Sequence, residues 1–239
     1  MNNPFFYEAG LPIAPGLYTL SDASSKHASL VLRMTVGDAM MLTNGQGLKA
    51  SATIVSTDKK KTVVQLMHPQ QMPLLKPQHA IAISFVKNAA RMEWFLEKAT
   101  ELGITAFYPL MADRTERTHF KKDRWEQIIV SAMLQSQQVY KPILHDPIVL
   151  TDLLHQNQSL ALYMAHCEPT EKIPLSACEI KQNAIVLIGP EGDFTPNEIE
   201  MAAKAGATMV SLGHTRLRTE TAGMAAAVVL QFQSSSYNL

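Results

Sequence analysis

IGPEGDFTPNE (Ile188–Glu198) and SLGHTRLRTETAG (Ser211–Gly223) are two glycine-bearing loops, and each follows a short apolar run, AIVLI (Ala184–Ile188) or ATMVSL (Ala207–Leu212). Each then enters a pattern with helical spacing. Two strand ends therefore deliver backbone groups and polar side chains to one place. In open α/β sheets, ligands bind in the crevice beyond the carboxyl ends of the strands. Part of the first loop has a structural explanation. Thr195 can cap a helix, Pro196 suits its first position, Glu198 completes a Thr-x-x-Glu capping box, and Gly206 ends the helix. Gly189-Pro190-Glu191-Gly192 falls outside that explanation, and its glycines permit close approach of backbone to a ligand.

Outward from these loops, the chain from Ala80 alternates strands with helices, the signature of a largely parallel sheet. AIAISFV (Ala80–Val86) reads as a strand. Asn88 starts a helix with Met92, Phe95, Leu96, Ala99 and Leu102 inward and Gly103 as its stop. ITAFYPLM (Ile104–Met111) is the next strand, followed by the densest basic cluster, Arg114, Arg117, Lys121, Lys122 and Arg124. A helix with Trp125, Ile128, Ile129 and Ala132 inward, a short helix over Thr151–Gln156 and a strand in Ser159–His166 precede the two loops. The last helix, from about Thr221, is almost uncharged and rich in small residues, so it should lie against another surface, including that of a second subunit.

Toward the N-terminus the texture differs. Between Leu17 and Met67, four short strands separated by turn residues indicate a small β-barrel or sandwich. Ser25–Met34 interrupts them as a short helix with His27, Leu30, Val31 and Met34 on its inner face. Pro69–Gln78, with three prolines, is the natural linker, giving domains 1–74 and 75–239. Gly45-Gln46-Gly47-Leu48-Lys49-Ala50 matches a dinucleotide fingerprint only formally, because a strand-like alternation follows Gly47.

The 239 residues are 46% hydrophobic and 18% charged with a formal net charge of zero, an ordinary globular composition that argues against coating nucleic acid by bulk charge. Two cysteines and thirteen methionines suit a reducing, cytoplasmic compartment. The sequence shows no P-loop, nucleophile elbow or metal-ligand spacing, and no run of membrane-spanning length. What remains is a pocket at three strand ends, at Met164–Glu168, Ile188–Gly192 and Leu212–Arg218, suited to an adenosine-type cofactor read by main-chain groups. Arg216, Arg218 and Glu220 cluster after it and could clamp phosphate, orient a group or move a proton, or form an internal Arg–Glu pair.

At these residues the sequence resembles a known family. GPEGDF followed by LGHTRLRTETA, with Arg91–Ile104 and His27–Asp38, is similar to the RsmE family of 16S rRNA methyltransferases in the SPOUT superfamily. The resemblance implies an α/β fold: a C-terminal trefoil-knotted SPOUT methyltransferase domain (75–239) with a small N-terminal PUA-like β-barrel that binds RNA (1–74). It also implies S-adenosyl-L-methionine as cofactor, a homodimer, and methylation of N3 of a specific uridine in 16S rRNA, within the assembled small ribosomal subunit. No metal or membrane enters. Carried over by position, Ala165, His166, Leu187, Gly189, Glu191, Gly192, Leu212, Gly213, Leu217 and Thr219 would bind the cofactor. Arg33, Lys87, Arg91, Arg114 and Arg117 would hold RNA. Arg216, Arg218 and Glu220 would stand at the target base. Many relatives read LGxRILRTET, so in this chain the first arginine of the loop is displaced by one position. The alternatives are a SPOUT methyltransferase acting on another RNA position and a catalytically silent RNA-binding protein of the same fold.

Overall fold

The computed structural model describes residues 3–58, 61–74, 76–116, 120–156 and 160–235. It divides into two compact units, Met1–Leu74 with Met133–Lys141, and Leu75–Ala132 with Pro142–Leu239. The segment Met133–Lys141, which the sequence reading left in the second domain, thus groups with the first unit.

The first unit is a five-stranded sheet in the order β1-β3-β4-β5-β2, built from β1 (Phe5–Tyr7), β2 (Gly16–Thr19), β3 (Ala39–Thr43), β4 (Leu48–Thr57) and β5 (Thr62–Gln71). All pairings are antiparallel except β1 with β3. Alternation decides its burial. Met40 and Leu42 in β3, Ala50, Ala52 and Ile54 in β4, and Val64 and Leu66 in β5 all point into one core. β5 continues to Gln71, into the stretch expected as linker. The inserted helix is corrected more deeply. It begins earlier, as α1 (Asp22–Lys26) capped by Ser21, and passes into a wider π turn over His27–Val31, where Leu32 N–H bonds to His27 O, five residues back, at 3.0 Å. The extra residue in that turn rotates part of the expected face outward. Leu30 and Val31 are 52% and 64% exposed, while Ala28 and Met34 are buried.

The second unit holds an eight-stranded sheet in which every pairing is parallel. Its strands are β6 (His79–Ser84), β7 (Ala106–Met111), β8 (Ile143–Leu144), β9 (Ile148–Val149), β10 (Ala161–Ala165), β11 (Ile173–Pro174), β12 (Ala184–Ile188) and β13 (Thr208–Ser211). The order is β11-β13-β10-β12-β6-β7-β8, with β9 also on β7. Helices α2 (Ala89–Glu101), α3 (Lys122–Gln135), α4 (Leu150–Gln156), α5 (Pro196–Lys204) and α6 (Thr219–Ser235) complete the chain. Because helices cover both faces, the central strands are apolar without alternation. β12 shows this directly. Ala184, Val186 and Ile188 join the core with α2, α3 and α6, while Ile185 and Leu187 join the core with α4 and α5. The expected caps form: Asn88 Oδ1 accepts from Ala90 N–H, and Thr195 and Glu198 make the full capping box. Among the described residues no helix is long and apolar enough to cross a membrane.

His79 opens β6 with 4% of its surface exposed, and burial, only partly offset by the backbone at Gln78, pushes its imidazole down from 6.5 to about 4. The unfolded chain therefore binds this proton more readily between those values. Stability from His79 is complete above pH 6.5 and falls as pH drops toward 4, by about 3 kcal/mol in total. Thermal melts from pH 7 to 4.5 should show a steeper decline for the native protein than for His79→Gln. Parallel curves would refute the assignment.

Candidate active site

A cavity of about 860 Å³ opens at the carboxyl ends of β10, β12 and β13. Its walls are the segments after those strands: Ala165–Pro169, Ile188–Asp193 and Ser211–Thr219, with Arg114 from the segment after β7. Ala165, His166, Gly189, Glu191, Gly192, Leu212, Gly213, Leu217, Thr219, Arg216 and Arg218 are thereby brought together. The two glycine loops, separated in the chain by α5 and β13, do meet.

The loop after β12 is held from four sides. Thr219 Oγ1, buried at the start of α6, donates to Gly189 O at 3.1 Å. Asp193 Oδ2 accepts from Cys167 N–H at 2.7 Å, tying the loop to the end of β10. Arg216 Nη2 donates to Glu191 O at 3.4 Å, and Arg114 Nη1 donates to Gly192 O at 2.7 Å. A β-carbon on Gly189 would lie 3.1 Å from the Phe194 ring, which would have to give by a few tenths of an ångström. Thr195–Glu198, expected as ordinary capping, does more. Glu198, 2% exposed, also takes Asp113 N–H on Oε1 at 2.8 Å, so the capping carboxylate joins the loops after β7 and β12.

His166 is 7% exposed, and neither ring nitrogen has a protein partner. Burial first, and then the Lys172 ammonium, lower its pKa, favouring the neutral ring. Lys172 Nζ donates to the carbonyls of His166 and Glu168, fixing the segment after β10. Among the described residues, no hydrogen bond takes up the backbone N–H of Gly192, Gly213 or Leu217 at the cavity wall. Those donors and the glycine-lined backbone, with Lys172 the one lysine among the cavity residues and already bonded to two carbonyls, suit a nucleoside-like group read by main chain better than a triphosphate.

Other expected residues lie elsewhere. Leu187 is fully buried in the core with α4 and α5 and does not line the cavity, because alternation along β12 turns it to the far face of the sheet. Glu220 also lies off the cavity wall. It is 8% exposed, and its Oε1 stands 3.6 Å from Arg91 Nε, so the internal Arg–Glu pair exists, but with Arg91 of α2. Lys87 pairs with Glu116 at 3.0 Å on the surface. Arg33 belongs to the first unit, with a left-handed φ of 55°. Arg117 lies outside the described residues. Asp193, Lys172 and Glu198 are the site residues that sequence reasoning missed. The signal for Asp193 and Lys172 was proximity to a strand end, and for Glu198 the capping box, which names no partner outside its own helix.

Comparison with known proteins agrees with this geometry. The RNA methyltransferase domain family matches residues 74–231, and the RNA methyltransferase PUA domain family matches residues 20–67. A curated relative, ribosomal RNA small subunit methyltransferase E of Rickettsia conorii, is 30% identical over 209 residues, covering 86% of this chain and 85% of its own. The chain belongs to the RsmE family of RNA methyltransferases. Among solved structures, a probable rRNA methyltransferase from Porphyromonas gingivalis is 33% identical with a TM-score of 0.90, covering 98% of this chain and 99% of that one. The family enzyme of Neisseria gonorrhoeae, solved bound to S-adenosyl methionine, is 28% identical with a TM-score of 0.85, covering 97% and 98%. The RsmE assignment also accounts for the PUA-like domain that precedes the parallel-sheet domain in the chain.

Proposed function

We propose that this RsmE family member transfers the methyl group of S-adenosylmethionine to N3 of one uridine in 16S rRNA. The observation that carries the reading is the cavity at three strand ends, where both glycine loops and Arg216 and Arg218 line one wall. Its volume of about 860 Å³ falls in the range of small-molecule sites, and its unpaired backbone donors match an adenosine-type ligand. Bound, the cofactor supplies a methyl group already activated by its sulfonium, so the chain mainly has to align and stabilise.

Gly189, Glu191, Gly192, Leu212, Gly213, Leu217 and Thr219, with Ala165 and His166, form the cradle, while Leu187 supports it from the core. A uracil N3 must lose its proton and leave the stack. Arg216 and Arg218, both exposed at the wall, place positive charge where that negative charge develops. Glu220 acts through Arg91: its carboxylate, nearly buried, orients the guanidinium at the start of α2. Arg33, Lys87, Arg91 and Arg117 remain the proposed RNA contacts. The reading carries a trefoil knot at the strand ends, a cytoplasmic location, the assembled small subunit as substrate, and a homodimer. Trp94 of α2 and Val228 and Phe232 of α6, at 46%, 37% and 71% exposed, supply apolar surface for the partner copy.

Mass-spectrometric mapping of small-subunit rRNA from a deletion strain tests the reading. Loss of one N3-methyluridine, restored by the intact gene, is expected. Loss of a ribose methyl group instead would favour a SPOUT enzyme acting at another position, and an unchanged RNA would favour a silent binder.

A further inference from the structure

Arg114 follows β7 in the loop that the sequence reading assigned to RNA, yet its guanidinium is turned onto the neighbouring loop. Nη1 donates to Gly192 O at 2.7 Å and approaches Phe194 O at 3.5 Å. A β-carbon placed on Gly192 would meet Arg114 Cδ at 3.3 Å and Cβ at 3.4 Å, so the arginine stem lies flat against the glycine. The adjoining residue is pinned as well, since Asp113 N–H donates to Glu198 and Asp113 Oδ2 accepts from Thr195 Oγ1 at 3.4 Å. Arg114 lines the cavity from the same side.

We propose that Arg114 is a positioning residue that holds the Gly189–Phe194 loop in its cofactor-binding form, and that RNA phosphate is not its partner. This rests on the reading of the cavity as an S-adenosylmethionine site. The physical ground is that backbone around Gly192 has wide conformational freedom, and a ligand that must order it loses affinity. A charged donor on the carbonyls of Gly192 and Phe194 removes that freedom before the ligand arrives. A guanidinium so engaged, with its stem packed on the loop, is poorly placed to follow a phosphate backbone.

The test measures S-adenosylhomocysteine binding by calorimetry, amide hydrogen exchange over Glu191–Phe194, and affinity for small-subunit RNA, in the full-length wild type, R114A and R114K. R114A should weaken S-adenosylhomocysteine about 10-fold, the loss expected for one charge-assisted hydrogen bond at a partly exposed site. It should speed exchange in the loop and leave RNA affinity within about 2-fold. R114K should recover part of the loss, because an ammonium can reach one carbonyl. Unchanged S-adenosylhomocysteine affinity, whether RNA binding weakens or not, overturns the proposal. Should R114A fail to fold, R114Q, which keeps a neutral donor near the same carbonyls, is judged by the same readings. A wild-type protein that binds no S-adenosylhomocysteine would sink the cofactor reading itself, an outcome separable from failure of the Arg114 assignment alone.

Discussion

Arg218→Ala is expected to leave the melting transition in place while lowering kcat for methyl transfer by about 10²- to 10³-fold, the usual loss when one preorganised donor is removed from developing charge. The two halves of this expectation have separate grounds. Folding should be indifferent because the Arg218 side chain is exposed and, among the described residues, engages no hydrogen bond or ion pair. Its backbone carbonyl accepts Ala222 N–H at 2.8 Å, and alanine keeps that bond. Turnover should suffer because Arg218 lines the cavity at the residue before α6, with a guanidinium that pairs with no carboxylate among the described residues. Arg216 differs, since its bond to Glu191 O makes it partly a loop support, and Arg216→Ala should disturb cofactor affinity as well. Single-turnover assays with S-adenosylmethionine and small-subunit RNA, run beside thermal melts, measure both halves. Turnover within about 2-fold of the wild type would remove Arg218 from the chemistry.

Features set by local chemistry could be read from the sequence. The run AIVLI had to be a strand buried on both faces, and Thr195-Pro196-Asn197-Glu198 had to start a helix, because propensity, capping and periodicity agree there. The meeting of the two glycine loops followed from the rule for strand ends in parallel sheets. What stayed hidden depends on contacts across long sequence separations. Glu198 satisfies its capping box by itself, so nothing local announces a second partner 85 residues away. Arg114 reads as part of a basic cluster because charge density carries no direction. Leu187 was carried over by resemblance, and only the alternation along β12, anchored by the core on each face, shows that its side chain points away from the cavity. At His27–Val31 the sequence has ordinary helical spacing, and a π turn, which no residue pattern there encodes, turns Leu30 and Val31 outward while Met34 stays buried.

The pair Arg91–Glu220 links these levels. Both residues sit in the first turns of helices, α2 and α6, that pack on each other beside the cavity. The nearly buried carboxylate of Glu220, 3.6 Å from Arg91 Nε, is placed to hold that arginine. The placement of α6 therefore governs two features at once: Thr219, which holds Gly189, and Glu220, which holds Arg91.

That placement depends on Gly223, and Gly223→Val is expected to lower the thermal midpoint by about 6–12 °C, from about 3 kcal/mol of overpacking at 2–4 °C per kcal/mol for a chain of this size. A β-carbon at Gly223 would lie 2.6 Å from Phe95 Cε2 and 2.9 Å from Ile83 Cδ1. Both neighbours are essentially fully buried, so neither ring nor methyl has solvent to move into. Two opposing effects act. Replacing a mid-helix glycine gains about 1 kcal/mol of helix propensity with alanine and less with valine, whose branched side chain is restrained in a helix. Gly223→Ala should therefore be destabilised by about 1–2 kcal/mol, and Gly223→Val, with two more carbons in the same space, by the fuller amount. Relief can come only from α6 sliding off Phe95, which would draw Thr219 away from Gly189 O. The valine variant should then also bind S-adenosylhomocysteine more weakly at temperatures well below its midpoint. Melts showing alanine and valine variants as stable as the wild type would mean that Phe95 swings aside and that α6 is not seated by this contact.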